Sequence, residues 1–325
     1  MIRSLYYQPD AELQENILTE NYAAVLKNPQ GVFWVDIYGE PNAAVEHVLR
    51  ETFGFHELAI ADALEETHVP KVDDWGSYLT LVVRAVDPTL DLDEAVETQE
   101  IDIFMGQNYF VTYHDQLIPA LERVWKKTFS KLGTAHLFYQ IVDEIATDFI
   151  KLADQIDDEI NEIEDQLFAD ADSKLLENIF ALKRALLHLR RIIAPQRDLV
   201  GHLSRVDYPV IGAEFHVYFR DVYDHFLRLY DIIENLRDLV GSALEIYLSV
   251  VNNRMNNVMK ILTIITTLFM PITFLTGFFG MNFFHPVENL SLWTSLPIFG
   301  ILLFATIIFP ISMFLWMRKR GWMQT

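Results

Sequence analysis

The stretch "NNVMKILTIITTLFMPITFLTGFFGMNF", residues 256–283, decides the architecture. From Ile261 through Phe284 there is no Asp, Glu, Lys, Arg or His, and the same holds from Asn289 through Met317. Each run exceeds the roughly 20 residues that cross a bilayer as a helix. Backbone facing lipid must satisfy its own hydrogen bonds, so both runs are predicted to be transmembrane helices in contact with the lipid bilayer. Buried core helices are the competing reading, but core helices this long keep a polar stripe, which these runs lack.

The flanks set a direction. Arg254 and Lys260 precede the first run and Arg318, Lys319 and Arg320 follow the second, whereas the connector "HPVENLS" (285–291) has neither Lys nor Arg. Positive flanks stay cytoplasmic. Both termini are therefore expected inside, in a multi-pass protein of the cell (inner) membrane. Trp293, Trp316 and Trp322 are expected at the interfaces.

The 325 residues carry a formal net charge of −21. Past Lys260 the one acid is Glu288, so the acidic excess lies in the body that precedes the spans. Such a body is a poor partner for nucleic acid, whose phosphates need Lys and Arg. There is no cysteine, which excludes disulfides, thiolate zinc sites, iron–sulfur clusters and Cys nucleophiles. The opening "MIRSLYYQPDAELQEN" has no apolar core of the kind a signal peptide needs.

The body reads as an α/β domain over residues 1–133. "GVFWVDIYG" (31–39) and "YLTLVVRAV" (78–86) have strand composition, and "EIDIFMGQNYFVTYHD" (100–115) reads as a hairpin turning at Gly106, Gln107 and Asn108. "PNAAVEHVLRETFG" (41–54) and "ELAIADALEE" (57–66) read as helices. Residues 134–212 read as an antiparallel pair of long helices, one acidic and one basic in its middle, joined near Ala169–Asp172. A stalk helix follows over 213–258. The remaining elements are a first span at 259–284, an outer loop at 285–291, a second span at 292–317 and a basic cytoplasmic tail at 318–325. In the stalk, Val222, Phe226, Leu229, Ile233, Leu236, Val240, Ala243, Tyr247 and Val250 alternate by four and three, a heptad seam. No linker signal separates stalk from span.

Stepping from Asn256 by three or four reaches Met259, Thr263 or Leu262, Thr266, Met270, Thr273 and Gly277. This face is small or mildly polar and uncharged, while Ile261, Ile264, Leu268 and Leu275 form a greasier side. Two readings remain open from spacing. The threonines satisfy backbone carbonyls and the small residues pack helices together, or the face lines a pore. Two spans cannot enclose a channel, so the seam and the small face together suggest a homo-oligomer.

Gly280-Met281-Asn282 then closes the first span just before a short outer loop and a second span. With "YFRDVYDH" (218–225) and "RKRGW" (318–322), this arrangement resembles the CorA family of magnesium channels along the whole chain. The resemblance implies a CorA-like homopentameric funnel, with an N-terminal cytoplasmic α/β domain and a long helical stalk continuing into a two-helix transmembrane region. It implies a passive, ion-gated channel for Mg²⁺, with Co²⁺ and Ni²⁺ as further candidates, and no enzymatic activity. Asn256, Met259, Leu262, Thr266, Met270, Thr273, Gly277 and Asn282 would face the axis. Gly280, Met281 and Asn282 would form the filter, Asn282 selecting and Gly280 allowing a tight turn. Asp62 and Asp221 match the inhibitory cation site between subunits, and Glu245 stands where relatives carry another stalk acid. The acidic "MPEL"-like outer loop of many relatives is replaced here by "FFHPVENL", leaving Glu288 alone to concentrate cations.

An uncharged amide suits such a filter. Mg²⁺ binds six oxygens tightly and dehydrates reluctantly, and conduction needs sites weak enough to leave. Amide oxygens can accept hydrogen bonds from the ion's own water shell. Alternatives carry less. Zinc transporters of the ZntB type often differ at the Met of the motif. A membrane-anchored enzyme or sensor would need a nucleophile or cofactor motif, and there is no P-loop, dinucleotide glycine pattern or HExxH. His216, Asp221 and His225 form a softer-metal candidate on the stalk, and Glu65 with His68 is a lone E-x-x-H pair.

Overall fold

The computed structural model describes residues 1–9, 12–65, 69–89, 96–127, 133–169, 172–281 and 296–320. They divide into two units, Met1–Tyr247 and Leu248–Thr325.

In the first unit, β1 (Ile2–Tyr7), β2 (Gln14–Glu15), β3 (Val32–Tyr38), β4 (Lys71–Asp74), β5 (Leu79–Val86), β6 (Thr98–Met105) and β7 (Tyr109–His114) form one sheet in the order β2-β1-β3-β7-β6-β5-β4. The β3–β7 pair is parallel and the other pairs are antiparallel. The central strands β3, β5 and β7 are buried along most of their length because both faces of the sheet are covered. One face packs under α1 (Tyr22–Val25), α2 (Asn42–His47) and α3 (Glu57–Leu64). The other packs under α4 (Pro119–Lys126), α5 (Thr134–Ala169), α6 (Ser173–Leu203) and the first part of α7 (His216–Gly280).

Strands β3 and β5 and the β6–β7 hairpin fall where the sequence places them. The turn closes with Gly106 N donating to Tyr109 O at 2.9 Å. A Cβ at Gly106 would lie 2.4 Å from the Tyr109 ring, so the bend needs glycine. Thr134 Oγ1 donates to Gly106 O at 2.8 Å and ties the start of α5 to the hairpin. The helix expected over 41–54 is interrupted. α2 stops at His47, a π-helical turn spans Val48–Thr52, and Gly54 reverses the chain at φ +69°. Strands β1 and β4 were not anticipated. β4, "KVDD", is a charged edge strand, a composition that discourages pairing with other chains and hides it from a hydrophobicity reading.

Helix α6 contains Pro195, and the next residue, Gln196, is wholly buried against β5. Arg84 N donates to Gln196 Oε1 at 2.8 Å, and Gln196 Nε2 donates to Arg84 O at 3.2 Å. The side-chain amide thus acts as one more peptide unit of the sheet.

The stalk seam is buried within the chain as far as Tyr247, while Val250, in the second unit, is half-buried. Val222, Phe226, Leu229, Ile233, Leu236, Val240, Ala243 and Tyr247 all join the core shared with α5 and α6. Phe138 packs on Phe219, and Arg190 pairs with Glu234 at 2.6 Å. This corrects the expectation that the seam supplies contacts between copies, because its apolar surface is covered by the chain's own helices.

In the second unit, the remainder of α7 and α8 (Leu296–Lys319) are both long and apolar enough to cross a membrane. α7 is helical through Pro271 and ends at Gly280.

Candidate ion-conducting and ion-sensing residues

Ile264, Leu268, Pro271 and Leu275 are half-buried and fall on one side of α7 at spacings of four, three and four. A helix turns about 100° per residue, so Met259, Leu262, Thr266, Met270, Thr273 and Gly277 lie on the opposite side. All six are exposed, as is Asn256. Ile261, expected on the greasy side, is exposed as well.

The threonine hydroxyls donate backwards along the helix. Thr263 Oγ1 reaches Met259 O at 2.7 Å, Thr266 Oγ1 reaches Leu262 O at 3.0 Å, and Thr273 Oγ1 reaches Phe269 O at 3.0 Å. This is the carbonyl-satisfying arrangement of the first reading. It leaves each hydroxyl oxygen with lone pairs that can accept from a hydrated ion, so the two readings are compatible at the same residue.

Gly280 is the last residue of α7 and has no positive φ, so the expected tight turn does not use left-handed backbone there. Met281 N donates to Phe278 O at 3.4 Å. Asn282 and Glu288 lie outside the described residues, as do Trp293, Trp322 and His68.

Asp62 sits half-buried on α3, where the Lys71 ammonium on β4 reaches its carboxylate. Lys71 also lies 3.4 Å from Asp73. Burial pulls the Lys71 pKa down, but the hydrogen bond and charge of Asp62, followed by those of Asp73, outweigh it and leave it raised. Asp221 is exposed on α7 and accepts a long hydrogen bond from Tyr139 Oη at 3.5 Å. Asp62 and Asp221 share no hydrogen bond or ion pair within the chain. Glu245 is exposed between the seam residues Ala243 and Tyr247.

The softer-metal set does not assemble. His225 Nδ1 lies 3.0 Å from Asp143 and His216 Nε2 lies 3.5 Å from Asp207. Among the described residues no three His, Cys, Asp or Glu converge to hold an ion.

The sequence reading missed two features. Lys71 as the partner of Asp62 had a signal, a lone Lys in "VPKVDD" nine residues later. The second is a buried network around Asp36. Its carboxylate accepts from Arg3 Nε at 2.9 Å, from Thr112 Oγ1 and from His114 Nε2 at 3.1 Å. Burial pushes the Asp36 pKa up, and the bonds and charges of His114, Thr112 and Arg3 more than reverse it.

With this geometry in place, likeness to known proteins becomes decisive. Residues 29–319 match the family described as "CorA-like Mg2+ transporter protein". The chain belongs to the CorA family. The protein YfjQ of Bacillus subtilis is 36% identical over 295 residues, covering 89% of each chain. The cobalt/magnesium transport protein CorA of Thermotoga maritima is 31% identical over 296 residues, covering 89% of this chain and 83% of that one. The complete structure of the CorA magnesium transporter from Methanocaldococcus jannaschii superposes with a TM-score of 0.83 at 24% identity, over 98% of both chains. The α/β domain, long helix and C-terminal helix expected from the sequence are therefore the family's fold. A zinc transport protein ZntB, from Photorhabdus laumondii, is more distant at 22% identity over 278 residues, covering 85% of this chain and 83% of that one.

Proposed function

We propose that this chain forms a passive channel for divalent cations, with Mg²⁺ as the principal ion and Co²⁺ and Ni²⁺ as further cargo. One observation carries the reading. In a member of the CorA family, the side of α7 from Asn256 to Gly277 is uncharged and uncovered, and it leads directly to Gly280, Met281 and Asn282. Two spans per chain cannot close a pore, so that side needs copies of itself. Five subunits around one axis would bring five such faces together, with both termini in the cytoplasm of the cell in which this membrane protein acts.

In this arrangement the ring of Asn282 amides accepts hydrogen bonds from the water shell of Mg²⁺ and leaves the shell in place. Threonine lone pairs continue the polar path. Met259, Leu262 and Met270 form apolar rings that can close by dewetting. The driving force is the membrane potential, about 2.3 kcal/mol per charge per 100 mV and twice that for a dication.

Asp62 of one subunit and Asp221 of the next hold a cytoplasmic Mg²⁺ that favours the closed ring, with Glu245 as a further stalk acid. Filling these sites stabilises closure, and emptying them lets like charges separate the subunits.

The test is Mg²⁺ uptake into proteoliposomes by wild type and by Asn282→Ala and Asn282→Asp, with native mass spectrometry of each. The reading expects pentamers throughout, no Mg²⁺ flux in Asn282→Ala, and slower or less selective flux in Asn282→Asp. Wild-type flux in both variants overturns the filter assignment, and a stable monomer or dimer as the sole species overturns the pore.

A further inference from the structure

One cleft of the first unit contains an acid with no partner. It lies between the end of α3 and the β6–β7 strands, is lined by Leu64, Glu97, Glu100, Asp102, Tyr113 and Asp115 among others, and encloses about 190 Å³. Asp102 is 7% exposed, and its carboxylate has no hydrogen bond or ion pair with any described residue.

The sheet register explains how the acid comes to be there. Lys71 stands opposite Val82, Val82 opposite Asp102, and Asp102 opposite Tyr113, so the four form one cross-strand row on one face of the sheet. The only cation in that row, Lys71, is engaged by Asp62 and Asp73. The nearby Glu100 is held by Arg84 at 3.0 Å. Asp102 is left to face the cleft. Burial, then the neighbouring Glu100 and Asp62, push its pKa well above the ordinary range, and the charge of Lys71 offsets them only in part. Burial likewise raises Tyr113, helped by Asp115 and Asp102, to about 12, so its hydroxyl remains a donor.

We propose that the Asp102 cleft binds a hydrated Mg²⁺ ion, a second metal site formed within one subunit. A buried polar group without a partner is costly, and a polar cavity of sufficient size takes up water or an ion to relieve it. The cleft has room for an ion together with its water shell. The described carboxylates and imidazoles do not converge tightly enough to grip a bare ion. The ion therefore keeps its waters, as Mg²⁺ readily does, and Asp102 and Asp115 accept hydrogen bonds from them. Ala63 and Leu64 also line the cleft, immediately after Asp62, so an ion here places positive charge beside the helix that carries the inter-subunit sensor. The site goes beyond the channel reading and does not depend on it.

The experiment is calorimetric titration of the full-length protein in detergent with Mg²⁺, at about 0.15 M NaCl, paired with thermal unfolding in EDTA and in Mg²⁺. Asp62→Asn/Asp221→Asn should retain one Mg²⁺ per subunit, and adding Asp102→Asn should abolish it. Asp115→Asn, at the exposed rim, should weaken that site severalfold without loss of fold. In EDTA, Asp102→Asn should unfold at or above the wild-type temperature, since it removes a carboxylate that burial and the neighbouring acids disfavour. Unchanged Mg²⁺ stoichiometry and affinity in the Asp102→Asn variant overturns the site, and so does a stabilisation produced equally by Na⁺ alone. Loss of flux with these binding results intact would count against the pore and not against this site.

Discussion

The Lys71 ammonium on β4 is paired with the carboxylate of Asp62 on α3, the acid matched to the inter-subunit sensing position. In the proposed sensor, a Mg²⁺ ion arriving at Asp62 would therefore compete with a cation already supplied by the chain. Both side chains are about one-third exposed, so solvent screens the pair, and such pairs contribute roughly 0.2–1 kcal/mol.

Removing that competitor should sharpen sensing. Lys71→Gln is expected to lower the Mg²⁺ concentration giving half-maximal protection from proteolysis by about 1.5- to 5-fold, the range set by the pair's energy. An unchanged midpoint would mean that Mg²⁺ does not bind at Asp62.

Neutralising the proposed sensor, Asp62 with Asp221, would have two opposing effects. Loss of ion bridging favours opening, and loss of carboxylate repulsion favours closing. Asp62→Asn/Asp221→Asn is therefore expected to lose ion sensitivity without locking the channel. It should keep conducting at Mg²⁺ concentrations that close wild type, and should lack the sensor-linked part of Mg²⁺-dependent protection. Closure at the wild-type concentration would place the sensor elsewhere.

The buried seam gives a prediction about stability. Leu229 is fully buried in the core formed by α5, α6 and α7. Leu229→Ala should cost about 2–5 kcal/mol, visible as an earlier unfolding transition of the full chain in detergent, with the subunit count by native mass spectrometry unchanged. A lost oligomer with an unaltered unfolding transition would return the seam to the subunit interface.

Asp36 gives a pH prediction. Its folded pKa is depressed, so its stabilising contribution is complete above the unfolded value of about 3.9 and disappears as pH falls through the lower folded value. Asp36→Asn leaves Arg3 short of its buried partner and should cost roughly 3–5 kcal/mol at neutral pH. It should also flatten the acid limb of a stability–pH profile below about pH 4, read by denaturant titration at several pH values. A limb as steep as wild type would assign acid sensitivity to other carboxylates, Glu144 with its Arg123 and Lys127 partners being the next candidate.

What the sequence by itself determined is the set of features carried by local composition. The two spans follow from uncharged runs, because hydrocarbon penalises charge regardless of what surrounds the helix. The heptad seam, the central strands and the β6–β7 turn follow from periodicities of 3.5 and 2 and from a glycine in a tight bend. The candidate pore residues follow from helical spacing, and their opposition to the half-buried side of α7 needs only helix geometry.

Tertiary structure decided what those features meet. An apolar seam reads the same whether its partner is a neighbouring copy or another helix of the same chain, and here α5 and α6 cover it. An acid reads the same whether paired or alone. Only the strand register and the placement of α3 give Lys71 to Asp62 and leave Asp102 facing a cleft. Composition is a property of the chain, whereas the partner of a buried charge is set by contacts between residues far apart in sequence, and desolvation makes that partner matter.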